Sequence, residues 1–397
     1  MKPVQLTNDI WWVGVQNPGL RIFDVIMRTE WGTSYNSYLV KGSEKTVLVD
    51  SVRDGYLEEQ LEGLKEVCDP TKIDYIICNH TEPDHSGSLK KMLETAPGAV
   101  VVCSRAAKAI IKELINRDFE CIVVGDGDTL DLGDKKLSFI SAPFLHWPDT
   151  MFTYVESEEV LLTCDAFGFH FSAPEIFDDK TMLTDEMVKS QKYYFDVIMS
   201  PFKPYVLEAI NKIRDLKIKI IGPSHGPVLR ADPWGAVKRY EDWAQPEKKL
   251  KKRIYIGFVS CYGYTTKLAK KILEGIESVK GDFDVLFEDI GDSKPEVAAG
   301  KIVGADAFAL GSPTLNRDAL PPVWDVMTGL CSYVVKGKPA ALFGTYGWSG
   351  EACKYMEQRL ANLGVNVIGQ ARAKMDPSEE ELKGAFDLGV QLAEAVK

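Results

Sequence analysis

The chain has 397 residues, of which 45% are hydrophobic and 26% charged, and its formal net charge is -11. This length favours two domains, and the composition is typical of a soluble globular protein. The negative charge argues against a nucleic-acid groove or docking on anionic lipid, and no stretch approaches the roughly 20 apolar residues that span a bilayer. Since the first residues lack the apolar core of a signal peptide, we expect a cytoplasmic protein. The eight cysteines form no CxxC pair, which excludes a rubredoxin-like or zinc-ribbon site in this chain.

The first part of the chain predicts short strands with helices between some of them. Apolar runs predict strands at residues 38–40, 46–49, 75–78, 100–103, 137–140, 151–155, 160–163 and 218–221. Helices are predicted at residues 57–67, 86–95 and 104–117, with Ser86 and Ser104 as N-caps of the last two. Strands that mix hairpins with crossover helices indicate an α/β sandwich.

A polar, lysine-rich stretch at residues 245–253 predicts a linker, and we place the domain boundary near Lys249, between residues 1–248 and 249–397. Beyond it, strands and helices alternate. Strands are predicted at 254–259, 285–289, 307–311, 340–344 and 366–368, and helices at 266–278, around Val297, and at 322–329, 350–363 and 378–396. This alternation predicts a doubly wound, five-stranded parallel sheet.

Seven candidate metal ligands end or follow apolar runs of the first domain: His80, Glu82, Asp84, His85, His146, Asp165 and His225. Because strand ends meet at one edge of a sheet, we expect these side chains to converge. Four imidazoles and three carboxylates suit a buried dimetal centre. Asp165 has no ligand neighbour in sequence and is the candidate bridging carboxylate.

His170 could be an outer donor or an ordinary core or surface histidine. Tyr193 and Tyr194 could reach a bound substrate, although a core-packed aromatic pair is the favoured interpretation.

The stretch His80-Thr81-Glu82-Pro83-Asp84-His85 resembles the HxHxDH signature of the metallo-β-lactamase superfamily, with Glu82 in place of the second histidine, as in flavodiiron proteins. Further similarity to that family lies in residues 32–38, 146–149 and 165–168. The resemblance implies a metallo-β-lactamase-like αββα sandwich followed by a flavodoxin-like domain. It also implies one iron on His80, Glu82 and His146, a second on Asp84, His85 and His225, and Asp165 between them. A carboxylate in place of an imidazole moves the preference toward iron over zinc.

Residues 260–265 follow the first strand of the second domain and open a helix, where backbone N–H groups and the helix dipole favour a phosphate. The pattern SxxGxT resembles the FMN-phosphate loop of flavodoxins, and no GxGxxG fingerprint supports NAD. Two further loops, after the third and fourth strands, flank the flavin ring in folds of this kind. The candidate FMN-binding residues are Ser260, Cys261, Tyr262, Gly263, Tyr264, Thr265, Ser312, Pro313, Thr314, Leu315, Asn316, Thr345, Tyr346, Gly347, Trp348, Ser349 and Gly350.

A flavin and a diiron centre together store four electrons, which matches the reduction of dioxygen to water, while two electrons suffice to reduce nitric oxide to nitrous oxide. The sequence does not rank these substrates, and no side chain beyond the ligands is obliged to be catalytic. The resemblance implies a head-to-tail homodimer, or a dimer of dimers. It also implies an external donor such as reduced rubredoxin or reduced deazaflavin, since the chain resembles the two-domain class without a rubredoxin module.

Two alternatives remain at this point. A zinc-loaded first domain could hydrolyse esters, fused to a flavodoxin-like electron carrier, although Glu82 argues against this hydrolase. The chain could also be an electron carrier whose first domain has lost its metals, although all seven ligands are present.

Overall fold

The computed structural model describes residues 2–24, 27–180, 184–246 and 250–397. The chain forms two compact units, Met1–Pro246 and Glu247–Lys397. The boundary predicted at Lys249 lies outside the described residues. Within the described ranges, no helix is both long and apolar enough to cross a membrane.

The first unit is built from short strands and seven helices in its described part. The strands are β1 Val4–Gln5, β2 Ile10–Trp12, β3 Val15–Asn17, β4 Ile22–Phe23, β5 Met27–Arg28, β6 Thr33–Tyr35, β7 Tyr38–Lys41, β8 Thr46–Val49, β9 Tyr75–Cys78, β10 Val100–Ser104, β11 Cys121–Val124, β12 Thr129–Asp131, β13 Lys136–Ser141, β14 Met151–Val155, β15 Val160–Cys164 and β16 Ile220–Pro223. The helices are α1 Leu57–Val67, α2 Pro83–Ser86, α3 Leu89–Thr95, α4 Arg105–Ile115, α5 Thr184–Tyr194, α6 Lys203–Ile213 and α7 Pro233–Ala244.

Two sheets of the first unit pack face to face. One has the order β1-β2-β7-β8-β9-β10-β11 and the other β12-β13-β14-β15-β16. Successive residues of a strand face opposite sides of its sheet. In β9, Ile77 accordingly packs into the core between the sheets and Ile76 into the core beneath α1, α3 and α4. Helices α6 and α7 cover the other sheet, where Val206 and Val237 share a core with Leu161. This is the predicted αββα sandwich.

The predicted start of the second helix, at Ser86, is wrong. Pro83 begins the short helix α2, and α3 starts only at Leu89. Proline suits the first helical position because its ring presets the backbone angle and its missing N–H is not needed there. Ser86 is not an N-cap, since its hydroxyl donates to Thr81 O at 2.7 Å. The Ser104 cap is confirmed, because its side chain accepts from Ala107 N.

The second unit is an open α/β sheet. Its strands are β17 Lys252–Phe258, β18 Phe283–Asp289, β19 Ala307–Gly311, β20 Pro339–Tyr346 and β21 Asn366–Lys374, and its helices are α8 Tyr264–Ser278, α9 Pro295–Gly304, α10 Pro321–Thr328, α11 Ser332–Val335, α12 Ala352–Asn362 and α13 Glu379–Glu394. The order β18-β17-β19-β20-β21 is parallel throughout, which is flavodoxin-like and confirms the predicted sheet. Strand β21 is longer than the predicted 366–368.

Candidate metal centre and flavin cavity

The ends of the strands bring the seven candidate ligands of the first unit together. His80 and Glu82 follow β9, and α2 carries Asp84 and His85. Asp165 directly follows β15, while His146 follows β13 and His225 follows β16. Among the described residues, ligand atoms within 4.8 Å of one another form three groups: His80, Glu82, His146 and Asp165; Asp84, His85 and His225; and His85, Cys164 and Asp165. We call His80, Glu82 and His146 the His80 set, and Asp84, His85 and His225 the His225 set.

The His80 set surrounds one small space. His146 Nε2 lies 2.9 Å from Glu82 Oε2, and His80 Nε2 lies 3.4 Å from the same oxygen. Asp165 Oδ2 closes this space at 3.5 Å from His146 Nε2 and 3.6 Å from His80 Nε2. Four ligand residues therefore converge here.

The His225 set surrounds a second space. Asp84 Oδ2 lies 3.0 Å from His225 Nε2, and Asp84 Oδ1 lies 3.3 Å from His85 Nε2. The other oxygen of Asp165, Oδ1, lies 3.0 Å from His85 Nε2 and 3.6 Å from His225 Nε2. Asp165 thus turns one oxygen to each set, which is the arrangement of a bridging carboxylate.

These separations fit two metal ions. Nitrogen and oxygen ligands about 2.0 to 2.2 Å from one ion, at tetrahedral or octahedral angles, lie about 2.8 to 3.6 Å apart. Within the described residues, three buried oxygens that face the two spaces make no hydrogen bond of normal geometry, namely both Asp84 side-chain oxygens and Asp165 Oδ2. Buried polar atoms are rarely left so in a native protein unless an ion or water completes them.

The pKa shifts show how strongly the sets are charged. Burial opposes protonation of His85, but the carboxylates of Asp84 and Asp165 outweigh it and raise the pKa of His85 to about 9. Burial of His146 is likewise outweighed by Asp165 and Glu82, which raise its pKa to about 9. Burial also opposes ionisation of Asp165, yet the imidazoles around it hold its pKa well below the usual range. An ion binding here must displace protons.

Outer partners orient the ligand histidines. Asp149 Oδ2 lies 3.2 Å from His80 Nδ1, and Ser34 O lies 2.7 Å from His225 Nδ1. Thr33 Oγ1 lies 3.3 Å from the same His225 nitrogen. Such partners fix which ring nitrogen faces the metal. None of these three contacts was predicted, because Asp149 follows His146 in the chain but contacts His80, and backbone carbonyls leave no mark in a sequence.

His170 lies beside the site. Its Nδ1 is 2.9 Å from Thr33 Oγ1 and its ring centroid is 4.5 Å from that of His225. Burial, followed by the nearby His225, holds the pKa of His170 well below its usual value, so its ring is neutral. Tyr194 is buried, with its ring 5.1 Å from that of His170. The predicted core-packed pair is wrong for Tyr193, which is 39% exposed because consecutive helical residues face different directions.

Cys164 also lies near His85 and Asp165, a neighbour that the sequence analysis did not single out. Its Sγ accepts a hydrogen bond from Ser224 Oγ at 2.9 Å. Burial raises the pKa of Cys164 well above its usual value, so it is a neutral thiol. A neutral thiol is a poor metal ligand.

In the second unit, a cavity of about 920 Å³ opens at the carboxyl ends of β17, β19 and β20. All three predicted loops contribute to its lining, including Tyr262, Asn316 and Trp348. Arg317 and Met375 also line it and were not predicted. A cavity at this edge is where doubly wound sheets bind their ligands, and its volume suits a cofactor.

Two hydroxyls that were predicted to bind FMN make hydrogen bonds within the loops. Thr265 Oγ1 and Thr345 Oγ1 are 2.9 Å apart and buried. Ser312 Oγ donates to Pro313 O at 2.8 Å and accepts from Leu320 N at 2.9 Å. Neither Thr265 nor Ser312 lines the cavity, and these hydrogen bonds hold the loops that form its walls.

The remaining three predicted residues that do not line the cavity are small. Ser260 Oγ accepts from Gly263 N at 3.1 Å, which closes the turn before α8. Gly263 has φ +83°, a left-handed conformation that glycine adopts without strain. A Cβ on Gly350 would meet the Tyr346 ring at 2.8 Å, so this glycine is required for packing.

Fold and sites together define a class: a metallo-β-lactamase-like unit with a paired metal site, joined to a flavodoxin-like unit with a cofactor cavity. The family described as "ODP family beta lactamase" matches residues 33–226, and "Flavodoxin" matches residues 256–389.

The relatives agree with this class. The chain is 43% identical to a flavo-diiron protein of Clostridium acetobutylicum, with 100% of both chains covered. It is 36% identical to a nitric oxide reductase of Moorella thermoacetica, over 99% of this chain and 98% of the other. The structure resembles rubredoxin oxygen:oxidoreductase from Desulfovibrio gigas with a TM-score of 0.73 and 28% identity, covering 100% of this chain and 98% of that one. The chain belongs to the flavodiiron protein family, and it is an oxidoreductase.

Proposed function

We propose that this chain reduces dioxygen to water, nitric oxide to nitrous oxide, or both, at a diiron site supplied with electrons through FMN. The observation that carries the proposal is the position of Asp165, which turns Oδ2 to the His80 set and Oδ1 to the His225 set. A site for two ions, rather than one, can bind such diatomic molecules and supply two electrons to them. Relatives named nitric oxide reductase and rubredoxin oxygen:oxidoreductase support both substrates.

The proposed ligands divide between the two ions. His80, Glu82 and His146 hold one, Asp84, His85 and His225 hold the other, and Asp165 bridges. When bound, the iron pair supplies electrons and open positions for a diatomic ligand. The side chains of both sets are largely buried, so they exclude bulk water and strengthen every charge interaction in the site.

The protein's own contribution is largely orientation. Asp149 and the Ser34 carbonyl hold the outer nitrogens of His80 and His225, so both Nε2 atoms face inward. The low pKa of His170 leaves that ring uncharged, which keeps a further positive charge away from the His225 set. A neutral His170 and a protonated Tyr194 therefore border the site without adding net charge.

For FMN, we propose that the phosphate binds at residues 260–265, before α8, and that the loops after β19 and β20 flank the ring. Backbone N–H groups at a helix N-terminus favour an anion. When bound, FMN accepts and releases electrons singly or in pairs. Tyr262 and Trp348, 85% and 99% exposed, offer aromatic faces beside the cavity.

We further propose a head-to-tail homodimer or a dimer of dimers, an external donor such as rubredoxin or reduced deazaflavin, and a cytoplasmic location. The name of the Desulfovibrio gigas neighbour supports rubredoxin as the donor. Free thiols at all eight cysteines suit a reducing compartment.

The test combines iron quantification with gas consumption by the fully reduced protein. We expect two irons and one FMN per chain, and consumption of dioxygen or nitric oxide when reduced rubredoxin is supplied. The zinc hydrolase alternative is not favoured by the relatives, and it would instead give two zinc ions and ester cleavage without gas consumption. One metal or none, after preparation with ample iron, would refute the proposed site.

A further inference from the structure

We infer that the two iron positions are unequal, and that Asp149 makes the position at the His80 set the tighter one. The inference rests on the proposed diiron site and goes beyond it, because it assigns a positioning role to a side chain that is not a ligand. Asp149 touches one ligand, His80, and acts through it.

Asp149 is a fully buried carboxylate aimed at one metal position. Its Oδ2 accepts hydrogen bonds from Thr81 N and Thr81 Oγ1, both at 2.8 Å, and lies 3.2 Å from His80 Nδ1. Thr81 therefore fixes the carboxylate, and the carboxylate fixes the ring. A negative partner on the outer nitrogen makes a metal-bound imidazole a stronger donor.

The outer nitrogens of the His225 set have different partners. The outer nitrogen of His225 faces Ser34 O, which is a neutral carbonyl, at 2.7 Å. The outer nitrogen of His85 is buried and, among the described residues, has no hydrogen-bond partner. Among the described residues, neither histidine of this set hydrogen-bonds a carboxylate through its outer nitrogen, whereas the buried carboxylate of Asp50 interacts electrostatically with His85 and also with His80.

The two sets also differ in their exposure to solvent. The side chains of Glu82 and His146 are 16% and 18% exposed, and the side chains of the His225 set are 7% exposed or less. Exposure gives an ion at the His80 set a shorter way out, which speeds exchange. The inference concerns equilibrium affinity, so the test must be read after equilibration.

The experiment loads iron in steps. Metal-free protein, kept anaerobic, receives one equivalent of Mössbauer-active ferrous iron, is equilibrated, and then receives one equivalent of Mössbauer-silent iron. We expect one doublet to dominate, and the reverse order should give mainly the other doublet. In Asp149→Asn, which keeps the size of the side chain but removes its charge, we expect both doublets in either order. This corresponds to a loss of about 10- to 100-fold in affinity at the His80 set.

A matched variant lies at the other position. Thr33→Val removes the hydroxyl beside His225 Nδ1, so it should alter the second-filled doublet and keep the wild-type filling order, and Thr33→Ser should restore that doublet. Thr81→Val removes one hydrogen bond to Asp149, so it should reduce the preference for the His80 set less than Asp149→Asn does. It provides the test if Asp149→Asn does not fold. A melting transition and bound FMN report folding.

The outcomes separate the two proposals. Unchanged filling order in Asp149→Asn, or in Thr81→Val where only that variant folds, would overturn the inference. An equal loss of iron affinity at both positions would also overturn it, as would a change confined to the doublet of the position that fills second. Wild-type protein that binds fewer than two irons would instead refute the diiron site itself.

Discussion

In the first unit, the candidate site consists of buried charged side chains that contact one another, whereas in the second unit it is an open cavity between loops. His80, His85 and Asp165 are at most 1% exposed, while Trp348 is 99% exposed. Buried charges are stable only when paired, so each member of the metal site depends on the others. The cavity residues have few such dependencies. A single substitution at the site should therefore have a large effect in the first unit and a smaller effect in the second.

The largest effect is expected from removing the residue shared by both ligand sets. Asp165→Ala deletes the only side chain in the described chain that faces both the His80 and the His225 sets, so we expect gas consumption to fall at least about 1000-fold, or about 4 kcal/mol of activation free energy. FMN content should stay at one per chain. Asp215→Ala, at an exposed carboxylate of the same unit, is the control and should leave both unchanged. Retention of both irons and of the wild-type rate in Asp165→Ala would contradict the comparison.

A second prediction concerns the stability of iron-free protein between pH 6.5 and 9. The pKa values of His85 and His146 are raised to about 9, so their protonated forms stabilise the folded state below about pH 6.5, and this stabilisation is lost as the pH rises through 9. The loss should be on the order of a few kcal/mol for the two groups together. Calorimetry should show the first unit melting at lower temperature as the pH rises.

Iron provides the control for this pH dependence. Metal-bound imidazoles no longer carry the titrating protons, so the decrease between pH 6.5 and 9 should disappear when two irons are bound. The melting transition of the second unit should not show this pH dependence. A decrease of equal size with and without iron would contradict the assignment of His85 and His146 as ligands.

A third prediction tests the phosphate loop of the second unit. Gly263 has φ +83°, and an L-residue costs about 1–2 kcal/mol in this conformation. Gly263→Ala should therefore weaken FMN binding about 5- to 30-fold and leave the iron content unchanged, as measured by equilibrium dialysis and metal analysis. The matched control is Gly300→Ala, in α9, where an added Cβ meets nothing within 4 Å and the backbone is helical. Equal loss of FMN in both variants would exclude the loop as the cause.

The same comparison explains how much the sequence could predict. Side chains at strand ends are visible as polar residues after apolar runs, and His80 and Asp165 were found in this way. The contact of Asp149 with His80 depends on how the loop after β13 folds back, which no spacing encodes. In the second unit, β21 was predicted to end at 368 but continues to Lys374, so Met375 was not recognised at the cavity edge.

Two residues predicted to bind FMN show a related limit. Ser312 and Thr265 have the side chains expected of a cofactor loop, but their hydroxyls bond to Pro313 O and Thr345 Oγ1. A hydroxyl can contact a ligand or another loop, and composition does not distinguish these uses. The loops were predicted because strand order decides where they lie, whereas the direction of each side chain depends on local packing.

The smallest effect on stability is expected at Trp348. Because this ring is 99% exposed, Trp348→Ala removes almost no packing and should change the free energy of unfolding by less than about 0.5 kcal/mol. The ring lines the cavity, and an aromatic face beside a bound flavin contributes about 0.5–1.5 kcal/mol, so FMN binding should weaken about 2- to 12-fold. Trp348→Phe should recover most of this loss. If Trp348→Ala lowered the melting temperature without weakening FMN binding, the ring would be a packing residue. The contrast between a buried metal site of interdependent residues and an open cavity of independent ones would then not hold for Trp348.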